Sequence, residues 1–314
     1  MLKNYLKTAW RQLKKRKIFS AINIASLVLG LTSAFLILLY IQYEMNYDQF
    51  HKKGERIVRL TQWFKPDATT TNHFARCVDA WQPWVKALRD DYPEIENIAR
   101  LTRRYGTTLQ LGANFFSEKY FFMTDPDIFN VFTIPLIAGN PQTALESPNA
   151  VIITESMAQK YLDGNPLGQV LNVIDNLGNK IPYKISGVMK DWPDNSHMHI
   201  NFLASNKEQK LDQDWAYTYL LLSQADNFDA LQQKLPDFIL KQFGEQSTAT
   251  SGLELQRLKD IHLHSHLDRE LKVNGDIRTV YVLWAVAFLI IIIACINFIN
   301  LTTAGSKAWK RSRY

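Results

Sequence analysis

Cysteine is nearly missing from this 314-residue chain, with Cys77 and Cys295 the two present. Cys77 lies in a mixed polar stretch and Cys295 in an uncharged run, so the two are not expected to meet. No internal disulfide is then available, and a hydrophobic core must hold the fold; the chain is long enough to build one. Charge is missing from two long stretches. Residues 18–43 read IFSAINIASLVLGLTSAFLILLYIQY, and residues 279–306 include WAVAFLIIIIACINFINL. Acids are missing from both ends. Lys3, Lys7, Arg11, Lys14, Lys15, Arg16 and Lys17 precede the first run, and Lys307, Lys310, Arg311 and Arg313 follow the second. There is no Gly-x-x-x-x-Gly-Lys-Ser/Thr phosphate loop and no Gly-x-Ser-x-Gly nucleophile elbow. Fixed-period repeats, a proline-rich linker and low-complexity runs are absent too.

The uncharged runs are each long enough to cross a bilayer. At ~1.5 Å per residue the first makes a helix of roughly 39 Å, against a hydrocarbon core of ~30 Å. A cleaved signal peptide has an apolar core of ~7–15 residues ending in small residues. Here the run ends in Ile41-Gln42-Tyr43-Glu44-Met45, which offers no such site. Basic flanks stay in the cytoplasm, so both termini are expected inside and the middle outside. The net charge of +6 therefore does not point to nucleic acid. Without the basic ends, 25 basic residues face 29 of the 30 acids.

Residues 1–17 place Leu2, Tyr5, Leu6, Ala9, Trp10 and Leu13 at helical spacing among the cations, as in a helix lying on the membrane surface. In the first run Ser26, Gly30 and Ala34 recur every four residues, with Asn23 one turn earlier on the same face. In the second, Ala294, Asn297, Asn300 and Ala304 share a face. Small residues admit a close neighbour, and amides in hydrocarbon need partners, so both faces are helix-packing candidates.

The outer part predicts a strand near 56–62, a helix over 77–92 with Val78, Trp81, Val85 and Leu88 on one face, and a strand at 98–104. Residues 107–202 change to short strands and turns. Asp125-Pro126-Asp127 opens a helical turn, 150–153 is a buried strand, and Thr154 caps a helix through Tyr161. Strands 169–174 and 180–190 flank Asn176-Leu177-Gly178-Asn179. A second β-α-β signal follows, with a strand at 215–222, a helix at 227–243 and a strand at 252–258. Two β-α-β halves flanking a β-rich insertion predict an α+β domain between two transmembrane helices.

Chemistry is harder to find. His262, His264 and His266 would share one face of a strand, and His197 and His199 repeat the spacing, yet no acid or cysteine cluster completes a metal shell. Ser196-His197 beside Asp191 and Asp194 matches a hydrolase triad in composition only. No catalytic, metal or cofactor site is expected.

The residues Asn4-Tyr5-Leu6-Lys7-Thr8-Ala9-Trp10-Arg11, Phe19-Ser20-Ala21-Ile22-Asn23-Ile24 and Tyr47-Asp48-Gln49-Phe50-His51 with Arg56-Ile57 carry a resemblance. It continues at Asp125-Pro126 with Phe129 and Phe132, at Asn149-Ala150-Val151-Ile152-Ile153-Thr154-Glu155-Ser156 and at Ile185-Ser186-Gly187-Val188-Met189-Lys190-Asp191-Trp192-Pro193-Asp194-Asn195-Ser196-His197. Ile261-His262-Leu263 and Ala294-Cys295-Ile296-Asn297-Phe298-Ile299-Asn300-Leu301-Thr302 complete it. With these stretches the chain resembles the MacB/FtsX-like permeases of ABC transporters.

The resemblance implies a cytoplasmic segment at 1–17, spans at 18–44 and 279–303, a periplasmic core domain at 45–278 and a basic tail at 304–314. The domain would hold a porter-like lobe at about 45–106 and 206–278 with an inserted lobe at about 107–205. It implies a non-catalytic subunit in the bacterial inner membrane, partnered by a cytoplasmic ABC ATPase, a second permease copy or half, and membrane lipids. Conformational change would pass from the ATPase to the periplasmic domain for export or extraction of a substrate. The family's Glu-Ile-Gly-Ile-Arg-Lys-like coupling segment does not occur before Tyr314, and Gly305 stands where arginine is common. The resemblance therefore implies a split or truncated permease, or the N-terminal portion of a longer one, with the coupling segment supplied elsewhere. The alternative is a two-span, membrane-anchored extracytoplasmic sensor or binding module.

Overall fold

The computed structural model describes residues 17–67, 69–77, 82–112, 114–174, 178–207 and 215–311. The expected surface helix over residues 1–17 lies, but for Lys17, outside them, as do Val78, Trp81 and Asn176. The chain divides into two compact units, residues 1–46 with 275–314, and residues 47–274.

Helix α1, Lys17–Met45, opens the first unit. The second unit follows with a single 3-10 turn at Gly54–Arg56 and strands β1, Ile57–Phe64, and β2, Asn72–Phe74. Helix α2, Gln82–Asp91, leads to β3, Ile95–Arg104. Residues 78–81 of the expected helix lie outside the described residues. Cys77 does not start it but forms a bridge to Ala216 and is a buried free cysteine, its thiol pushed up to about 12 by burial.

Short elements come next: β4, Thr107–Leu111; β5, Asn114–Glu118; β6, Phe121–Thr124; α3, Ile128–Val131; and β7, Leu136–Ala138. Strand β8, Ala150–Thr154, runs into α4, Glu155–Tyr161. Thr154 stands at the N-cap, but its hydroxyl makes no capping bond. The carboxylate of Asp191 accepts from the Ser156 amide at 3.0 Å and its hydroxyl at 2.8 Å instead. An acceptor from a distant loop thus replaces the local cap, and its negative charge suits the helix N-terminus.

The unit continues through β9, Val170–Ile174; β10, Lys180–Met189; β11, Phe202–Ser205; and β12, Tyr217–Leu222. Helix α5, Asn227–Phe243, buries Leu231, Leu235, Phe238 and Ile239, one stripe at helical spacing. Gly244 ends it at φ 81°, a conformation open to glycine at little cost. Then come α6, Glu245–Thr250; β13, Ser251–Arg257; and α7, Leu258–His264. Helix α8, Ile277–Arg311, returns to the first unit.

The strands make one hydrogen-bonded path, β13-β1-β12-β3-β6-β11-β8-β10-β9-β4-β5, with β2 paired to β1 and β7 to β10. In its first four strands β1 and β3 run parallel with β12 between them, and β12 and β13 run parallel with β1 between them. These are two split β-α-β units, closed by α2 and α5. Side chains alternate across this layer. Val58, Leu60, Leu220 and Leu222 pack in the core that holds α2 and α5, while Ile57, Tyr217, Tyr219 and Leu221 pack with α3, α7 and Trp192 on the other face. The insertion between β3 and β12 extends the same sheet through β6 and β11. Every residue of β8 and β12 is buried, and Ala150 to Ile153 of β8 read as an unbroken apolar run for that reason.

Candidate functional site

Three groups of polar residues stand out, and none has the form of a catalytic centre. The alternating histidines do not sit on a strand. His262 and His264 belong to α7, where residues two apart point to different sides, and His266 follows it. His262 is buried and stacked on Tyr47 at 3.3 Å between ring centroids, whereas His264 is exposed, 3.9 Å from Asp260. His199 sits edge-on to Tyr120. Among the described residues no cluster of three or more His, Cys, Asp or Glu could hold a metal ion.

The second group begins where α1 ends. Asp48 is buried and takes a positive φ of 57°. Its Oδ1 accepts from the Ser196 hydroxyl at 2.5 Å, and its Oδ2 accepts from the His197 amide at 3.1 Å and lies 2.8 Å from Nδ1 of the same ring. Nε2 of His197 is 2.7 Å from the Tyr219 hydroxyl on β12. Burial alone would raise the Asp48 carboxyl. The charge of His197, with hydrogen bonds from His197 and Ser196, outweighs it and holds the group below the usual carboxylate range. Burial pushes the Tyr219 hydroxyl far up, so it keeps its proton.

His51 completes the cluster. Its Nδ1 accepts from the Thr133 amide at 3.2 Å, and burial drives its pKa down to about 4. The acid that Ser196 and His197 find is therefore Asp48, not Asp191 or Asp194. Asp48 lies between them, so Ser196 donates to the carboxylate and not to the imidazole. A hydrolase needs the imidazole in the middle. This arrangement ties the segment after α1 to β12 and to the 195–197 loop.

The sequence reading missed Asp48, His51 and Tyr219 as partners. The available signal was a polar, aromatic run, Tyr47-Asp48-Gln49-Phe50-His51, placed one residue after a span. A related cluster lies nearby on β1. Arg59, fully buried, forks onto Glu270 with contacts of 2.6 and 2.7 Å and also donates to Gln256 and Ser265.

The third group lies in the first unit. Asn297 donates through Nδ2 to the Ser26 hydroxyl. A Cβ built on Gly30 would stand 3.0 Å from the Ala294 Cβ, and Ala34 and Ala294 are both buried. The faces carrying Ser26, Gly30 and Ala34 and carrying Ala294 and Asn297 are thus turned toward each other within one chain. The side chains of Asn23, Asn300 and Ala304 lie outside the described residues.

Both helices are long and apolar enough to cross a membrane, over Ile24–Met45 and Ile277–Ile299. The sequence pattern described as the MacB-like periplasmic core domain matches residues 20–238. Among solved structures, a domain from Porphyromonas gingivalis described as part of a permease protein is similar at 20% identity and a TM-score of 0.56, covering 66% of this chain and 91% of its own. The periplasmic region of MacB from Actinobacillus actinomycetemcomitans is similar at 16% identity and a TM-score of 0.45, covering the same shares. A search of curated proteins finds no match. The first likeness supports the sheet layer and its insertion as a fold, and the pattern match extends over most of the chain. The chain belongs to the MacB/FtsX-like permeases, the family defined by this periplasmic core domain.

Proposed function

We propose that this chain is the permease part of an ABC transporter and carries conformational change from a cytoplasmic ATPase to a periplasmic domain, for export or extraction of a substrate. The chain performs no catalysis of its own in this reading. It sits in the inner membrane with both termini in the cytoplasm and residues 45–278 in the periplasm. Its partners are the ATPase, a second permease copy or half, and lipid.

One observation carries the reading. Helix α1 ends at Met45, and three residues later Asp48 is locked in a buried network of the domain. At the other end, buried Leu271 is six residues from the start of α8. Both connections between the helices and the domain are short in sequence, and in this reading a movement of either helix is passed on through them. A tethered sensor has no need of so short a connection.

The test is an insertion of Gly-Gly-Ser between Asn46 and Tyr47 in the transporter reconstituted with its ATPase. ATPase binding and hydrolysis should persist, while the ATP-dependent change in the domain, followed by fluorescence of a periplasmic label, should be lost. An undiminished label response would sink the transmission role. Failure of any ATPase to associate with the intact transporter would favour the sensor.

A further inference from the structure

Among the described side chains of the first unit, the tyrosines and the tryptophan are all exposed. Tyr40 and Tyr43 on α1 and Tyr281 and Trp284 on α8 are between 42% and 66% exposed. Their placement follows one register. The two helices run antiparallel, since Ser26 meets Asn297 and Gly30 meets Ala294. Ten residues outward from Gly30 and from Ala294 bring Tyr40 level with Trp284, and three more bring Tyr43 level with Tyr281. The aromatic residues therefore form two tiers at one end of the pair.

The same register fixes distances. The Gly30–Ala294 contact lies ten residues, or ~15 Å, from the Tyr40–Trp284 tier, which is half of a ~30 Å hydrocarbon core. Twenty-three residues from Tyr40 lead back to Lys17, and twenty-three from Trp284 lead forward to Lys307. Each interval is ~35 Å along a helix, enough to cross the ~30 Å core between the aromatic tier and the first cation at the other end. Two helices of unrelated sequence thus place aromatic rings and first cations at matching levels.

We propose that Tyr40, Tyr43, Tyr281 and Trp284 are a lipid-contacting belt that sets the depth of the helix pair, with their rings at the headgroup level of the outer leaflet. Tyrosine and tryptophan suit that level because the ring is apolar and its hydroxyl or N–H reaches water. The proposal rests on the reading of the pair as membrane-spanning. It places the close Gly30–Ala294 contact at the bilayer centre and the Ser26–Asn297 bond in the inner leaflet.

Nitroxide labels test it in the full chain in phosphatidylcholine nanodiscs. Cys295→Ala supplies the background, since buried Cys77 should resist labelling. Labels at positions 40, 43, 281 and 284 should be reached both by a water-soluble nickel complex and by oxygen. Labels at positions 31 and 293 should be reached by oxygen alone. Oxygen exposure that peaks at position 284 would overturn the belt while leaving the spans in place. Nickel access at every site would overturn the spans themselves. Exclusion of both probes from the four aromatic positions would mean that protein covers them, which also overturns the proposal.

A second arm keeps the aromatic residues. The emission lost in Trp284→Phe should report a tryptophan quenched more by bromine near the headgroup end of the acyl chain than by bromine near its methyl end. The reverse order would overturn the proposal even if a labelled variant fails to insert.

Discussion

Two buried titrating groups set how the domain should respond to acid. His51 has a folded pKa of about 4 against an ordinary value of 6.5, because burial disfavours its charged form more than the nearby Asp48 carboxylate favours it, and His197 adds to the burial effect. The unfolded chain binds the extra proton between those values, so the stabilisation is complete above about pH 6.5 and is lost as pH falls toward 4. At about 1.4 kcal/mol per unit of displacement, the loss is on the order of a few kcal/mol. Asp48, held below its ordinary value, adds a further loss only below about pH 4. The urea midpoint of the full chain should therefore drop between about pH 6.5 and 4. His51→Asn, which keeps an acceptor near Thr133, should flatten that slope. An unchanged slope in the variant would place the titration elsewhere. The Arg59–Glu270 pair gives a test at neutral pH. Glu270→Ala leaves the buried guanidinium without its carboxylate and should cost about 3–5 kcal/mol of stability, read from denaturant unfolding.

Among the elements, the turn at Gly139 is the most exacting. Its φ is 96°, and an added Cβ would lie 2.6 Å from the Ser186 carbonyl oxygen on β10, a backbone atom that cannot swing aside. Gly139→Ala should cost more than about 1 kcal/mol and loosen the β7–β10 pairing, measured by urea unfolding and by amide exchange at Val188. In the helix pair, Ser26→Cys with Asn297→Cys should cross-link in membranes, and adding Gly30→Leu should abolish the cross-link, because the Ala294 methyl already fills the space. Cross-linking that survives the leucine would mean the helices do not pack at Gly30. Elements of this kind differ in how far the sequence shows them. Helix α5 shows both ends, from Asn227 to Phe243, because its four buried residues repeat at helical spacing. Strand β8 shows itself as a bare apolar run. The three histidines near residue 262 mislead because seven residues are too few to separate a period of two from one of 3.6. The Asp48 network is invisible for a different reason. Its partners Ser196 and His197 lie 148 and 149 residues away, and no local pattern reports a contact across that distance.

For the whole molecule the decisive quantity is where its charge lies. All eleven cations of the two ends flank the apolar runs on the sides away from the domain, with no acid among them, while the middle carries more acids than bases. Moving either end outward would carry four to seven cations across the bilayer, against the bias that holds basic loops in the cytoplasm. The domain, by contrast, lacks disulfides and depends on its buried core, so export leaves it independent of an oxidant. A membrane-impermeant maleimide applied to intact spheroplasts should therefore label Gln142→Cys, on an exposed turn of the domain, and fail to label Trp10→Cys until the membrane is opened. Native Cys77 should stay silent in both conditions because it is buried with a raised thiol pKa, and Cys295→Ala removes the cysteine within the span. Labelling of Trp10→Cys from outside would reverse the orientation. It would also remove the orientation on which the proposed transmission role rests, so that role would fall with it.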